Sequence, residues 1–291
     1  MQEHRENVRL LPGVPIPASV ELTTDLARAV AGADWWISAV PTVYLRNTME
    51  RVRDTVRPGP PVLSLTKGLE VHTFKRPSEI LAEVLGVARV AVLSGPSHAE
   101  EVSRGLPTSV VAASDDFALA SAAQTFLGTD RFRVYTNLDP IGVELAGALK
   151  NVIGVAAGIS DGLGFGDNAK SALLARGLAE ITRFAVALGG DAGTLVGLAG
   201  MGDLITTCVS RHGRNRHVGE RLGRGEKAAD ILAGMSSVAE GVYTARSVHE
   251  RAARMGIDMP ITAEVYRVLY ENKDPRAAVN DLMLRSPKGE R

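Results

Sequence analysis

The residues with the clearest chemical potential follow three short apolar runs whose composition is typical of buried strands. The loops after these runs comprise residues 41–42, 66–68 and 94–97, and they contain proline, glycine or a lysine, Lys67. In an open α/β sheet, ligands bind at the carboxyl ends of the strands. Backbone N–H groups at the start of a following helix favour an anion, and Lys67 adds a cation at the same edge. The three loops together predict an anion-binding site, although each loop alone is more typical of an ordinary turn.

A second group of residues is spaced to share one face of a helix predicted over residues 141–159. Its members are Gly147, Lys150, Asn151, Gly154 and Gly158. Glycines on one face let another backbone or a ligand approach closely. A lysine among small apolar residues is a candidate for a lowered pKa, and hence for proton transfer near neutral pH. The same spacing also fits a lysine that extends its ammonium group from a domain interface into solvent.

Two further segments place polar side chains next to glycine. Asp203 follows a glycine-rich turn at residues 197–202 and precedes a predicted helix, where an aspartate most simply caps the helix. Residues 211–217 contain three arginines, and guanidinium groups bind phosphate through parallel hydrogen bonds. A basic segment of this kind is also common on solvated surfaces. The glycines within residues 162–166 follow a helix and lack the G-x-G-x-x-G spacing, so they predict a turn between helices.

The composition excludes several classes of protein. The 291 residues carry 33 basic and 33 acidic side chains, so no net positive field is available to hold a nucleic acid or an anionic membrane surface. The single cysteine, Cys208, excludes an intrachain disulfide, and neither it nor the six histidines show a metal-ligand spacing. No uninterrupted apolar run reaches the roughly 18 residues of a membrane span, and no signal-peptide core follows the charged start. We expect a metal-free cytoplasmic protein with no membrane insertion and no nucleic-acid partner.

The distribution of apolar residues divides the chain into two halves. The first half alternates short strand-like runs with helical stretches, which predicts a parallel α/β sheet. Predicted strands cover residues 20–23, 35–40, 62–66, 89–93, 109–113 and 132–135, and predicted helices cover residues 43–56 and 78–85. Beyond residue 140 only helical patterns remain, beginning with residues 141–159 and 168–188. About two domains are expected for this length, and we place them at residues 1–137 and 138–291.

The ordered set of segments resembles the NAD(P)-dependent glycerol-3-phosphate dehydrogenases of the bacterial type. The matching segments are residues 11–14, 66–70, 94–99, 142–151, 200–204, 214–216, 238–241 and 259–261. The resemblance extends from about residue 5 to about residue 284. It implies reversible hydride transfer between NAD(P)H and dihydroxyacetone phosphate, which gives sn-glycerol 3-phosphate for phospholipid synthesis. It also implies NAD or NADP as the cofactor, a small phosphorylated substrate and a homodimer.

The same resemblance assigns residues to the reaction. Lys150 matches the general acid/base at the reacting oxygen, and Asp203 matches its polar partner. The residues that match substrate contacts are Lys67, Gly95, Ser97, Lys150, Asp203, Gly213, Arg214 and Asn215, with Asn151 and Thr207 as further substrate-side groups. The residues that match cofactor contacts are Lys67, Ala99, Arg214, Val238 and Glu240. These roles suit the chemistry, because a cationic lysine stabilises the charge that hydride addition builds on a ketone oxygen, and arginine holds a phosphate.

The chain departs from the family pattern at three places. His98 stands where a phenylalanine is usual, and Gly213 stands where a serine is usual. The strand, G-x-G-x-x-G turn, helix and second strand with which the family begins are absent from the sequence. We therefore expect an α/β Rossmann-like N-terminal domain that lacks its first two strands, followed by an all-α C-terminal domain. Either the true start lies upstream of Met1, which is the explanation we favour, or the shorter chain is made as written.

Two other functions are compatible with the sequence. One is a catalytically impaired remnant that acts as a dimerisation module, although Lys150, Asp203 and Arg214 are all present. The other is a related hydroxyacid or ketopantoate-type dehydrogenase that shares the two-domain plan. The neighbouring Arg214 and Asn215 favour a phosphorylated substrate, and hence the glycerol-3-phosphate hypothesis.

Overall fold

The computed structural model describes residues 1, 3–55, 59–87, 89–235, 237–287 and 289. The strands of this part of the chain are β1 (Glu6–Asn7), β2 (Leu11–Pro15), β3 (Trp36–Ser38), β4 (Val62–Ser64), β5 (Val90–Ser94), β6 (Thr108–Ala113) and β7 (Phe132–Asn137). The α-helices are α1 (Leu26–Val30), α2 (Thr42–Glu50), α3 (Pro77–Leu85), α4 (Ala99–Val102), α5 (Phe117–Leu127), α6 (Pro140–Gly162), α7 (Asp167–Ala187), α8 (Ala192–Leu195), α9 (Asp203–Val209), α10 (Arg214–Gly223), α11 (Ala228–Ala233), α12 (Glu240–Met255), α13 (Pro260–Tyr270) and α14 (Pro275–Met283). A 3-10 turn at Arg53–Thr55 and a π turn at Leu198–Gly202 complete the regular structure.

A five-stranded sheet forms the core of the first half, with the strand order β3-β4-β5-β6-β7. Strands β3, β4 and β5 are parallel, and so are β6 and β7, but β6 pairs antiparallel with β5. The predicted fully parallel sheet is therefore wrong at β6. Parallel neighbours need a long crossover, whereas the one-turn helix α4 and the turn after it bring the chain directly back beside β5.

Helices bury both faces of this sheet. Val62 of β4 packs with Leu45 of α2 and Ile80 of α3, whereas the next residue, Leu63, packs with Leu119 of α5. Successive side chains of a strand point to opposite faces, so a strand covered on both sides is apolar throughout. The predicted Rossmann-like α/β arrangement is confirmed. The helix predicted over residues 43–56 is shorter than expected, because α2 ends at Glu50 and only a 3-10 turn follows.

The N-terminal residues form a separate hairpin, in which β1 pairs antiparallel with β2. The strand predicted at residues 20–23 does not form, and these residues occupy a bend and an extended segment instead. A short apolar run becomes a strand only where a neighbour pairs with its backbone groups. Among the described residues, β3 pairs only with β4, and the other edge of β3 has no neighbouring strand. The side chain of Ile37 in β3 is accordingly 47% exposed.

The second half is helical, as predicted, and is built around α6. Helix α10 packs against α6 at glycines. A Cβ atom added at Gly158 would lie 2.0 Å from the carbonyl oxygen of Arg216, and one added at Gly219 would lie 2.0 Å from that of Val155. Only residues without a side chain permit this approach. The glycine face predicted for residues 141–159 is therefore used for close helix packing at Gly158.

A buried carboxylate on α6 joins the two halves. Glu144 accepts hydrogen bonds from the backbone N–H of Ser78 at 2.8 Å, from the Ser78 hydroxyl at 2.6 Å and from the Arg76 guanidinium at 2.7 Å. Burial raises the pKa of Glu144 despite the nearby charge of Arg76. A buried charge persists only when it is paired and hydrogen-bonded. The contact therefore fixes the start of α3 against the core of the helical half.

Within the described residues, two helical stretches are long and apolar enough to cross a membrane by length and composition alone. The first is Pro140–Gly162, of which 94% of the apolar window is buried inside the protein, and the second is Ala192–Val209, with 44% buried. The first is α6, whose apolar composition is explained by its position in the core. The core helix of a soluble protein passes the same test, so these stretches are weak evidence for a membrane span.

Candidate active site

Three charged side chains from three different elements meet at the junction of the two halves. Asp203 begins α9, Lys150 lies in the middle of α6, and Lys67 follows β4. The Oδ1 atom of Asp203 lies 3.1 Å from the Nζ atom of Lys150, and its Oδ2 atom lies 2.7 Å from the Nζ atom of Lys67. One carboxylate is therefore shared by two ammonium groups. The capping role considered for Asp203 is not observed, because its side chain makes no cap hydrogen bond.

Burial controls the electrostatics of this cluster. Lys150 is 7% exposed and Asp203 is 3% exposed. Burial lowers the pKa of Lys150 to about 8, although the charge of Asp203 opposes the shift. Burial alone would raise the pKa of Asp203, but the charges of Lys150 and Lys67 hold it below its ordinary value. The carboxylate is therefore ionised near neutral pH, while Lys150 can exchange a proton there, as its apolar surroundings predicted.

Hydrogen bonds from neighbouring helices fix the orientation of Lys150. Its Nζ atom donates to the Thr207 hydroxyl at 2.6 Å, one turn beyond Asp203 on α9. On the next position of α6, Asn151 accepts a bond from the Asn215 side chain at 2.9 Å. The oxygen of Asn215 in turn accepts the backbone N–H of Gly241 at 2.9 Å. Helices α9, α10 and α12 are thereby tied to the same segment of α6.

A single cavity of about 430 Å³ opens beside this cluster. Of the residues that the sequence assigned to a site, those lining it are Lys67, Ser97, Ala99, Lys150, Asn151, Asp203, Thr207, Gly213, Arg214, Asn215, Val238 and Glu240. Gly95 does not line the cavity, but its carbonyl oxygen accepts a hydrogen bond from Lys67 at 3.0 Å and one from the Ser97 hydroxyl at 3.0 Å. The structure therefore brings all of these residues to one place.

Gly95 is a position where only glycine fits without strain. Its φ of +135° is rarely adopted by residues with a side chain, and a Cβ atom there would lie 3.0 Å from the Cα atom of Val110. The loop after β5 can consequently turn sharply and present its carbonyl oxygen to Lys67. This geometry connects the prediction of a functional loop at residues 94–97 with the cluster on α6.

Two contacts of the cavity were missed by the sequence analysis. Glu240 at the start of α12 accepts the backbone N–H of Thr42 at 2.8 Å, although the two residues are 198 positions apart. The ring of His98 lies 6.0 Å from the ring of His212, and both line the cavity. Burial and the charge of Lys150 lower the pKa of His98. These two histidines are 114 positions apart, so no local pattern in the sequence connects them.

The cavity lining combines two kinds of residue. The charged cluster and Arg214 line it together with the apolar Ala39, Val40, Pro41 and Leu65, which lie at the ends of β3 and β4. Apolar walls with a few convergent polar groups suit a flat ring that must face a polar reactant. Among the described residues, no group of three or more histidine, cysteine, aspartate or glutamate side chains is placed to hold a metal ion.

An α/β domain of Rossmann type joined to a helical domain, with a proton-exchanging lysine between them, defines a two-domain dinucleotide-dependent dehydrogenase. Family models described as the N-terminus and the C-terminus of NAD-dependent glycerol-3-phosphate dehydrogenase match residues 1–120 and 139–280. The chain belongs to this family. The N-terminal match begins at residue 1, so it does not support the expectation that the first two strands are missing.

Individual relatives agree with the family models. The NAD(P)+ glycerol-3-phosphate dehydrogenase of Chlorobium phaeobacteroides (strain BS1) is 50% identical over 293 residues, which covers 100% of this chain and 88% of that protein. Its counterpart from Chlorobium limicola is 52% identical, covering 98% of this chain and 87% of that protein. The crystal structure of glycerol-3-phosphate dehydrogenase from Coxiella burnetii superposes with a TM-score of 0.94 at 39% identity, covering 98% of this chain and 87% of that one.

Proposed function

We propose that this protein is an oxidoreductase that interconverts dihydroxyacetone phosphate and sn-glycerol 3-phosphate with NAD(P)H, and so supplies glycerophospholipid synthesis. The observation that carries the proposal is the buried Lys150, whose Nζ atom lies 3.1 Å from Asp203 and whose pKa burial lowers to about 8. A group of this kind exchanges protons at physiological pH. The family membership of the whole chain supports the same activity.

Lys150 is the proton donor in the direction of ketone reduction. When bound, NAD or NADP supplies or accepts the hydride. The charged ammonium group of Lys150 faces the carbonyl oxygen of the substrate, stabilises the negative charge that develops there, and gives up one proton to it. Asp203 retains its charge and holds the lysine in place, and Thr207 fixes the direction of the Nζ atom. In the reverse direction the neutral amine takes the proton from the hydroxyl group.

The substrate lies between the cluster and Arg214. Lys67, Gly95 and Ser97 position the end near Lys150, while Gly213, Arg214 and Asn215 hold the phosphate. Arg214 is exposed at the start of α10, and its planar guanidinium can bind two phosphate oxygens at once. Holding both ends fixes the carbonyl oxygen relative to Lys150.

The apolar part of the cavity lining, at the ends of β3 and β4, would hold the nicotinamide ring of the cofactor, which would supply or accept the hydride. The residues that would contact the cofactor are Lys67, Ala99, Arg214, Val238 and Glu240, all of which line the same cavity.

We further propose the organisation of the protein in the cell. The domains are residues 1–137 and 138–291, divided between the end of β7 at Asn137 and the start of α6 at Pro140. The protein is a cytoplasmic homodimer without membrane insertion, and its ligands are small molecules rather than nucleic acids. The balanced charge of 33 basic and 33 acidic residues agrees with that choice of ligands.

Oxidation of NADPH and NADH by the purified protein tests the activity. We expect absorbance loss on addition of dihydroxyacetone phosphate, and none with ketopantoate, which lacks a phosphate for Arg214 and Asn215. A Lys150→Met variant keeps the length and the apolar stem of the side chain but has no proton to give. It should lose at least about a hundredfold in kcat, the usual contribution of general acid catalysis. The proposal would be rejected if the protein turned over ketopantoate, or if it turned over neither ketopantoate nor dihydroxyacetone phosphate.

A further inference from the structure

A second cavity, of about 310 Å³, lies next to the active-site cavity and is lined by basic side chains. These side chains are Arg211, His212, Arg214, His217 and Arg221. We call this the basic cavity. It is formed by the turn before α10, the first turns of α10 and the segment after α11.

The positive charge of the basic cavity is only partly balanced by nearby carboxylates, with Glu240 near Arg214 and Glu226 near Arg221 and His217. Among the described residues, the side chains of Arg211, Arg214 and His217 have no hydrogen bond or ion pair, and Arg221 alone binds a carboxylate, Glu226, at 2.9 Å. By contrast, Arg216 of the same segment does not line this cavity, and its guanidinium is paired with Asp161 at 2.6 Å. Arg211 and Arg214 are exposed to solvent, and within the described part of the chain neither guanidinium bonds to a carboxylate, so both can bind phosphate oxygens, which arginine engages through two parallel bonds.

The basic cavity and the active-site cavity share one wall. His212, Gly213 and Arg214 line both cavities, and the His212 ring also lies 6.0 Å from that of His98 inside the active site. Because Arg214 lines both cavities, an anion bound in the basic cavity can compete for the guanidinium that holds the substrate phosphate.

We propose that the basic cavity is a second anion site that binds the phosphate group of inorganic phosphate or of a further phosphate monoester, and that its occupation weakens substrate binding. Phosphate binding follows from the cavity itself, whereas the effect on the substrate rests on the proposed function. The anion neutralises Arg211 and Arg214 together. The substrate then loses part of its attraction to Arg214, which raises its KM without removing Lys150 from the reaction.

Isothermal titration with inorganic phosphate tests the binding directly. The unmodified protein should show two binding events, one at the substrate site and one in the basic cavity. Arg211→Gln should remove the second event or weaken it by about tenfold, the effect of losing one charge-assisted hydrogen bond. The matched control is Arg224→Gln, which removes the same charge from the far end of α10, where Arg224 pairs with Glu220. The control should leave both events unchanged.

Steady-state kinetics test the consequence and separate the possible sources of the phosphate. Inorganic phosphate should inhibit the unmodified protein more strongly than Arg211→Gln, with the KM for dihydroxyacetone phosphate equal in both when phosphate is absent. Inhibition by excess substrate that disappears in Arg211→Gln would identify a second substrate molecule as the ligand, and inhibition by inorganic phosphate alone would identify the free anion.

Three results would overturn the inference. The first is a single phosphate event in every variant, and the second is an equal loss of phosphate binding in Arg224→Gln. The third is a substrate KM, measured without phosphate, that rises in Arg211→Gln as its phosphate affinity falls. The last result would make the basic cavity part of the substrate site. A protein that binds phosphate twice but does not turn over dihydroxyacetone phosphate would reject the proposed function, and with it the effect on the substrate, but would leave the second phosphate site standing.

Discussion

At the residue scale, the central feature is one carboxylate shared by two lysines. Asp203 lies within hydrogen-bonding distance of both Lys67 and Lys150, but only Lys150 is almost fully enclosed. Burial is the main cause that lowers the pKa of Lys150, and the nearby positive charge of Lys67 adds to this effect. The negative charge of Asp203 has the opposite effect and keeps the pKa of Lys150 from falling further. The result is a lysine that remains cationic near neutral pH and still releases a proton readily.

The hydroxyl of Thr207 is expected to be a positioning group for Lys150. Replacing it in Thr207→Val keeps the shape of the side chain but removes the acceptor of the 2.6 Å hydrogen bond. We expect kcat to fall by about tenfold, because a net loss near 1.4 kcal/mol is typical for one hydrogen bond to a charged group.

Thr206→Val is the matched control on the same helix. The Thr206 hydroxyl bonds to the backbone oxygen of Gly202 and not to Lys150. Steady-state kinetics of the two variants should differ in kcat while their substrate KM values stay similar. Equal kcat values in Thr207→Val and the unmodified protein would show that Lys150 does not depend on this contact.

The sequence predicted the reactive residues better than their contacts. Lys150 was recognisable because small apolar residues surround it at helical spacing, and Lys67 because it follows a strand. The bond between Thr42 and Glu240 could not be predicted, because no local pattern relates residues 198 positions apart. The cap considered for Asp203 is a local preference that the tertiary pairing with two lysines overrides.

At the element scale, the crossing of α6 and α10 determines where the site residues lie. The Cβ atom introduced by Gly158→Ala would be 2.0 Å from a carbonyl oxygen of α10, so the helices must separate. We expect the free energy of unfolding to fall by about 3 kcal/mol, as for other overpacked interiors. Urea denaturation of the purified variant gives this quantity.

Gly234→Ala serves as the control for this change. Gly234 follows α11 with a φ of −85°, and a Cβ atom there would meet its nearest neighbour at 3.6 Å, an ordinary contact. Its stability should stay within about 0.5 kcal/mol of the unmodified protein. A Gly158→Ala protein as stable as Gly234→Ala would contradict the close crossing of α6 and α10.

The elements themselves were predicted with uneven success. Strands β3 to β7 and the long helices α6 and α7 follow from continuous apolar runs and helical periodicity. The direction of β6 could not be predicted, since an apolar strand has the same composition whether it is parallel or antiparallel to its neighbour. The hairpin of β1 and β2 was also missed. Its strand residues are partly buried or exposed and none is fully buried, so no apolar core face marks it in the sequence.

At the scale of the whole molecule, the site exists only while the two halves stay joined. Arg76→Ala removes one partner of the buried Glu144 and leaves its charge poorly compensated. We expect a loss of about 3 kcal/mol in the free energy of unfolding, because breaking a buried ion pair leaves the remaining charge buried without its partner.

Lys75→Ala is the matched control, because it removes the neighbouring, exposed partner of Glu83. It should change the free energy of unfolding by less than about 0.5 kcal/mol. Equal urea midpoints for the two variants would show that Glu144 does not join the halves.

The pH dependence of turnover tests the central claim, that Lys150 is the proton donor. Its pKa in the folded protein is about 8, so the donor is charged below that pH and neutral above it. In the direction of ketone reduction, kcat/KM for dihydroxyacetone phosphate should be level at lower pH and fall as pH rises through about 8. Oxidation of sn-glycerol 3-phosphate needs the neutral amine and should rise through the same range. A reduction rate that stays level across that range, or a Lys150→Met variant with unchanged turnover, would contradict the account.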